Sequence, residues 1–109
     1  MNIVRVVAVF RDGGHSNKNY SLVLLCGINE SHQIEDGEWM GYIKNDDVFY
    51  PFILRDGKSF FYGYEEHSFE RTNIGQGSIE MGRFFTIWSQ PGENEAEEST
   101  YEVVSCHVY

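Results

Sequence analysis

Carboxylates are the chemically active groups this chain offers in greatest number. Asp and Glu total 17 against 8 Lys and Arg, for a formal net charge of −9 over 109 residues. They are also segregated. Residues 27–38, GINESHQIEDGE, hold Glu30, Glu35, Asp36 and Glu38 with no Lys or Arg. Beyond Arg83 the chain has no Lys or Arg at all, yet Glu93, Glu95, Glu97, Glu98 and Glu102 all lie there. Like charges at this density repel one another unless something positive docks against them. The chemistry they suggest is recognition: carboxylates standing in for phosphates on a basic surface. Such charge steers a cationic partner and raises its on-rate. Trp39 directly follows the first acidic run, where an aromatic anchor with a charged rim would concentrate binding energy. Core packing is an equal use for the same residue.

Catalytic groups are scattered. His15, His32, His67 and His107 show no metal-ligand spacing. Cys106 and His107 are adjacent on a strand-like run, so they point to opposite faces and cannot chelate one ion simply. Cys26, His67 and Glu66 supply the types a nucleophilic triad needs, but nothing in the sequence brings them together. Cys26 and Cys106 form no C-x-x-C pair and read as buried free thiols, with a single inter-strand disulfide as the other reading. Gly75-x-Gly77 with Gly82 has the wrong spacing for a dinucleotide fingerprint, and a strand rather than a helix follows. The run from Lys58 to Tyr64 has the alternating aromatics of an RNA-stacking strand, but lacks the glycine after the basic residue and sits in an acidic chain. No cofactor is expected.

The negative balance also opposes direct binding to nucleic acid or to an anionic membrane. No stretch approaches the roughly 18 apolar residues of a membrane span. The apolar run near the N-terminus is too short for a secretory signal and has no cleavage site. A cytoplasmic protein is expected.

The elements that must position these groups are strands. The chain is organised around residues 48–64, VFYPFILRDGKSFFYGY, dense in aromatics, with Asp56-Gly57 between two strand-like runs. Asp-Gly in that setting is a strong hairpin signal, because a two-residue turn needs positive φ at both positions. The register then predicted sets Leu54 opposite Ser59, Ile53 opposite Phe60 and Phe52 opposite Phe61. One face carries Phe49, Ile53, Phe60, Tyr62 and Tyr64. The other carries Tyr50, Phe52, Leu54 and Phe61. Pro51 lacks an amide donor and predicts a bulge or the end of regular pairing.

Further strands are expected at 2–11, 20–26, 39–44, 83–89 and 100–109. Residues 12–19, 27–38 and 90–99 read as loops, 74–82 as irregular, and 31–35 or 65–73 as the places for a helical turn. The whole is one β-rich domain over 1–109: all-β, or β-rich α+β. It forms an antiparallel sandwich or small barrel of about six to seven strands, with hairpin and meander connections.

Three functional expectations follow. The first is a non-enzymatic acidic protein that inhibits a basic partner, such as a nuclease or toxin. In size, charge and strand content, though in no motif, this profile resembles bacterial toxin-immunity proteins and phage-encoded inhibitors. The second is a barrel with an aromatic-lined interior that binds or transforms a small molecule. The third is a homo-oligomeric subunit whose second apolar face is covered by its own copy.

Overall fold

The computed structural model describes residues 1–12, 15–63, 69–89 and 97–109, with side chains at 12 and 15–18 left aside. Eight strands follow one another: β1 (Asn2–Asp12), β2 (His15–Ile28), β3 (Glu38–Asn45), β4 (Val48–Arg55), β5 (Ser59–Tyr62), β6 (Phe69–Thr72), β7 (Phe84–Trp88) and β8 (Glu98–Val108). Each pairs antiparallel with the next, and β8 returns to pair with β1, closing a barrel. The expected all-β barrel with hairpin connections is what forms, with eight strands rather than six or seven. The added strand is β6, which lies where the polar sequence suggested a helical turn. Closure leaves no unpaired edge among these strands. The one helical element described is a 3₁₀ turn, Ile74–Gln76.

Alternation along the strands builds the core. Val4, Val6 and Ala8 of β1 and Leu22, Leu24 and Cys26 of β2 are fully buried. Phe52 and Leu54 of β4, Phe60 of β5, Phe85 and Ile87 of β7, and Tyr101 and Val103 of β8 complete the interior. The opening hairpin corrects its predicted register. Arg55 pairs with Ser59, Leu54 with Phe60, Ile53 with Phe61 and Phe52 with Tyr62. Asp56 and Gly57 do take positive φ, at 52° and 66°. Lys58 then donates its N–H to the Arg55 carbonyl at 2.9 Å and adds one residue before pairing resumes. A one-residue slip moves a strand's whole side-chain set to the other face. Phe60 and Tyr62 therefore join Phe52 and Leu54 inside, while Ile53 and Phe61 point outward. The pairing of β4 with β5 stops at Phe52, next to Pro51, whereas its pairing with β3 runs through Pro51 opposite Tyr42.

The outward apolar side chains form a row across five strands. Leu25, Met40, Ile53, Phe61 and Phe69 are successive partners from β2 to β6. The Arg55 guanidinium covers the Phe61 ring at 4.3 Å.

The two ends of the barrel differ. At one end the β2–β3 and β6–β7 connections fold in as a floor. Ile28, Ile34, Ile74 and Ile79 are buried there, and the Ile79 N–H donates to the His32 carbonyl at 2.7 Å. Trp39 packs beside them, its indole N–H donating to the Glu35 carbonyl at 2.8 Å. At the other end β1, β3, β5 and β7 finish and β2, β4, β6 and β8 begin.

The narrowest seam is between β6 and β7, where only Arg71–Trp88 and Thr72–Ile87 pair. Side chains extend it. The buried Thr72 hydroxyl donates to the Thr86 carbonyl at 2.8 Å, and Asn73 Oδ1 accepts the Thr86 N–H at 2.8 Å.

Candidate functional site

The site begins with a residue on an unexpected face. Glu70 pairs directly with Phe60, and paired residues share a face. Phe60 is fully buried, so Glu70 is directed inward, as is Thr72 two residues on. Phe69 and Arg71 point outward instead. With Glu70 and Thr72 inside and Phe69 outside, β6 departs from the usual rule.

Glu70 borders a cavity of about 260 Å³ lined by Ile43, Tyr50, Tyr62 and Glu70 itself. These four residues come from four successive strands, β3 to β6, near the end away from the floor. Tyr50 is 47% exposed and stands at the rim. Phe52 lies beneath, its ring 6.3 Å from that of Tyr62 and 4.6 Å from that of Phe60. Across the barrel, Phe10 touches Tyr20 and Tyr101 at 5.9 and 5.8 Å between ring centres. Aromatic side chains thus face this end from both walls.

Polar groups inside the cup are few and poorly satisfied. The Tyr62 hydroxyl is buried without a hydrogen-bond partner among the described residues. It lies close enough to Glu70 to feel the carboxylate's charge and a weak polar contact, but outside the geometry of a formed bond. Burial first, and Glu70 second, push the Tyr62 phenol far above its ordinary range. Burial, then Glu70 and Tyr20, raise Tyr101 to about 12. Both phenols are therefore protonated donors near neutral pH. Among the described residues the ion pairs are Arg11–Glu102 and Arg55–Glu38, so no Lys or Arg there neutralises Glu70.

The carboxylates singled out from the sequence divide between the two ends. Glu30 and Asp36 are exposed in the β2–β3 connection, at the floor. Glu35 is half-buried there, and Glu38 pairs with Arg55 at 2.8 Å. Glu97 and Glu98 are exposed at the start of β8, at the opposite end. The Trp88 indole N–H donates to Glu98 at 3.0 Å. Glu102 pairs with Arg11 at 3.4 Å across the β1–β8 seam. Glu93 and Glu95 lie outside the described residues. Strand pairing thus supplies counterions to Glu38 and Glu102 that distance along the chain concealed. Trp39 is half-buried against the core.

Both cysteines are free. Cys26 pairs with Val4 on one side of β1 and Cys106 with Val6 on the other. Two strand spacings and a two-residue offset put their backbones more than roughly 9 Å apart, whereas a disulfide needs Cα atoms within about 7 Å. Burial, with Cys106 adding to it, pushes the Cys26 thiol up to about 12, and burial also raises Cys106. Thiols displaced in this direction are poor nucleophiles. Of the Cys26, His67 and Glu66 triple, the last two lie outside the described residues. No group of three or more His, Cys, Asp or Glu among the described residues is placed to hold a metal. No helix is long and apolar enough to cross a membrane.

Comparison with protein-family models, with curated proteins and with solved structures finds no match. Chemistry and geometry alone inform the function.

Proposed function

We propose that this protein is a non-enzymatic binding cup for a small molecule, held at the end of the barrel away from the floor. The observation that carries this reading is the 260 Å³ cavity with an inward-facing carboxylate on its wall. An eight-stranded barrel is just wide enough to be filled by side chains or to hold one small ligand. Here buried side chains of the described residues fill the floor and middle, and the cavity lies toward the aromatic end. Ligand sites are mostly apolar with a few placed polar groups, and Ile43, Tyr50, Tyr62 and Glu70 match that composition. The volume falls below the usual drug-sized range of roughly 300–1,000 Å³, so the ligand is small. Two free thiols suit a reducing compartment, which supports a cytoplasmic setting. Titration of the labelled protein by NMR with small aromatic alcohols and amines tests the reading. Shifts concentrated on Ile43, Tyr50, Tyr62 and Glu70, and lost in a cavity-filling Ile43→Phe variant, support it. Shifts spread over the outer face, or unchanged by Ile43→Phe, overturn it.

A second reading is the acidic cover for a basic protein such as a nuclease or toxin. Glu30 and Asp36, exposed without an ion pair among the described residues, support it at the floor, as do Glu97 and Glu98 at the other end. Affinity capture repeated with Glu93, Glu95, Glu97 and Glu98 neutralised tests it; capture unaffected by the change counts against it. The outward apolar row supports a third reading, self-association, which sedimentation at micromolar concentration decides.

A further inference from the structure

We infer that the cup selects a small organic ammonium ion, with Glu70 as its counterion and the Tyr62 hydroxyl as a second polar contact. This rests on the binding-cup reading above and adds the ligand's charge and class.

The cup by itself leaves a buried hydroxyl without a bond among the described residues. A carboxylate turned toward a barrel interior loses water and gains nothing unless a donor meets it. No Lys or Arg among the described residues lies within ion-pair distance of Glu70, and the Tyr62 hydroxyl beside it satisfies no bond of its own. A buried phenol that makes no hydrogen bond is itself destabilising. A half-buried carboxylate with no Lys or Arg partner among the described residues and a buried hydroxyl without a formed bond therefore share one cavity, whose remaining walls are Ile43 and the rings of Tyr50 and Tyr62.

Each ligand class can be weighed against those walls. An anion meets a carboxylate and a chain of net charge −9 and is repelled. A neutral molecule of similar shape brings no opposite charge to Glu70. A bare divalent ion finds one carboxylate where several oxygen ligands are needed. A protonated amine on a short apolar body satisfies all the groups at once. Its N–H bonds are charge-assisted toward Glu70. It can donate to the Tyr62 oxygen, its charge is attracted by the tyrosine ring faces, and its body lies against Ile43.

The test measures binding of three matched probes, benzylamine, benzyl alcohol and benzoate, to the wild-type chain and to Glu70→Gln and Tyr62→Phe. Calorimetry and NMR titration at low salt give the affinities. Benzylamine is expected to bind more tightly than benzyl alcohol, and benzoate not at all. Glu70→Gln is expected to weaken benzylamine about tenfold, in line with loss of a charge-assisted contact, and to weaken benzyl alcohol by a smaller factor. Tyr62→Phe is expected to weaken benzylamine by a smaller factor. If benzyl alcohol equals benzylamine on the wild-type chain, the cup reading stands and this inference falls. If no probe shifts the cavity residues, both fall. Should Glu70→Gln fail to fold, the ranking of the three probes on the wild-type chain, and its collapse at high salt, decides the matter alone.

Discussion

Gly57 and Gly75 meet backbone to backbone. The Gly75 N–H donates to the Gly57 carbonyl at 3.0 Å, and a Cβ built on Gly75 would stand 2.8 Å from the Gly57 Cα and carbonyl oxygen. The contact joins the β4–β5 turn to the 3₁₀ turn that helps form the floor. Backbone cannot move aside as a flexible side chain can. Gly75→Ala is therefore expected to destabilise the fold by about 1–3 kcal/mol, read as a lower urea midpoint with unchanged slope.

Tyr62→Phe removes the buried hydroxyl that lacks a partner, while the ring keeps its contacts with Phe52. Stability of the ligand-free protein is expected to hold or rise, by up to about 1 kcal/mol. Thermal unfolding of both proteins checks this. A loss of stability would mean that the hydroxyl is bonded in solution.

Alkali should unfold the protein through its buried acids. The Cys26 and Tyr101 pKa values, ordinarily 9.0 and 10.0, are both raised to about 12. Below about pH 9 both groups are neutral in both states, and their contribution to stability is fully present. As pH rises the unfolded thiol and phenol ionise first, while the folded ones keep their protons. Stability thus declines from about pH 9 and is lost as pH passes about 12. Urea midpoints measured across this range show the decline. Cys26→Ala flattens its first part.

The β6–β7 seam is expected to open before the rest of the barrel. It has two paired positions, whereas β1 is paired along most of its length with both neighbours. In hydrogen exchange, the Asn73 and Thr86 amides, which donate across this seam to the Thr86 carbonyl and to Asn73 Oδ1, should therefore lose protection before those of Val4, Val6 and Leu24. Thr72→Val deletes the hydroxyl that donates to Thr86 and accepts the Ile74 N–H. A loss of about 1–2 kcal/mol is expected, with faster exchange in β6 and β7 and no change in β1.

Much of the fold was legible because alternation is a strong signal in long strands. Val4, Val6 and Ala8 announce their inward face directly, and so do Leu22 and Leu24. The register of the aromatic hairpin was not legible, because both of its faces are apolar. With no polar face to mark the slip, a single added residue at Lys58 reassigned Phe60 and Tyr62. β6 was hidden for the opposite reason. In Phe69-Glu70-Arg71-Thr72 the apolar residue faces out and the carboxylate faces in, so pattern reading places Phe69 inside. The candidate site inherits both difficulties, since Tyr62 and Glu70 are two of its four wall residues. The acidic runs were visible in the sequence, but not their division between opposite ends, which follows only from the alternation of connections around a closed barrel.

The floor of isoleucines sealed beneath Phe52 and Phe60 has a kinetic meaning. For the ligand proposed above, a filled floor allows no through-traffic, so it would leave by the way it entered. A rival molecule cannot push it out from behind. Exchange between two occupants must then pass through an empty state, and the rate of departure stays constant however much competitor is added.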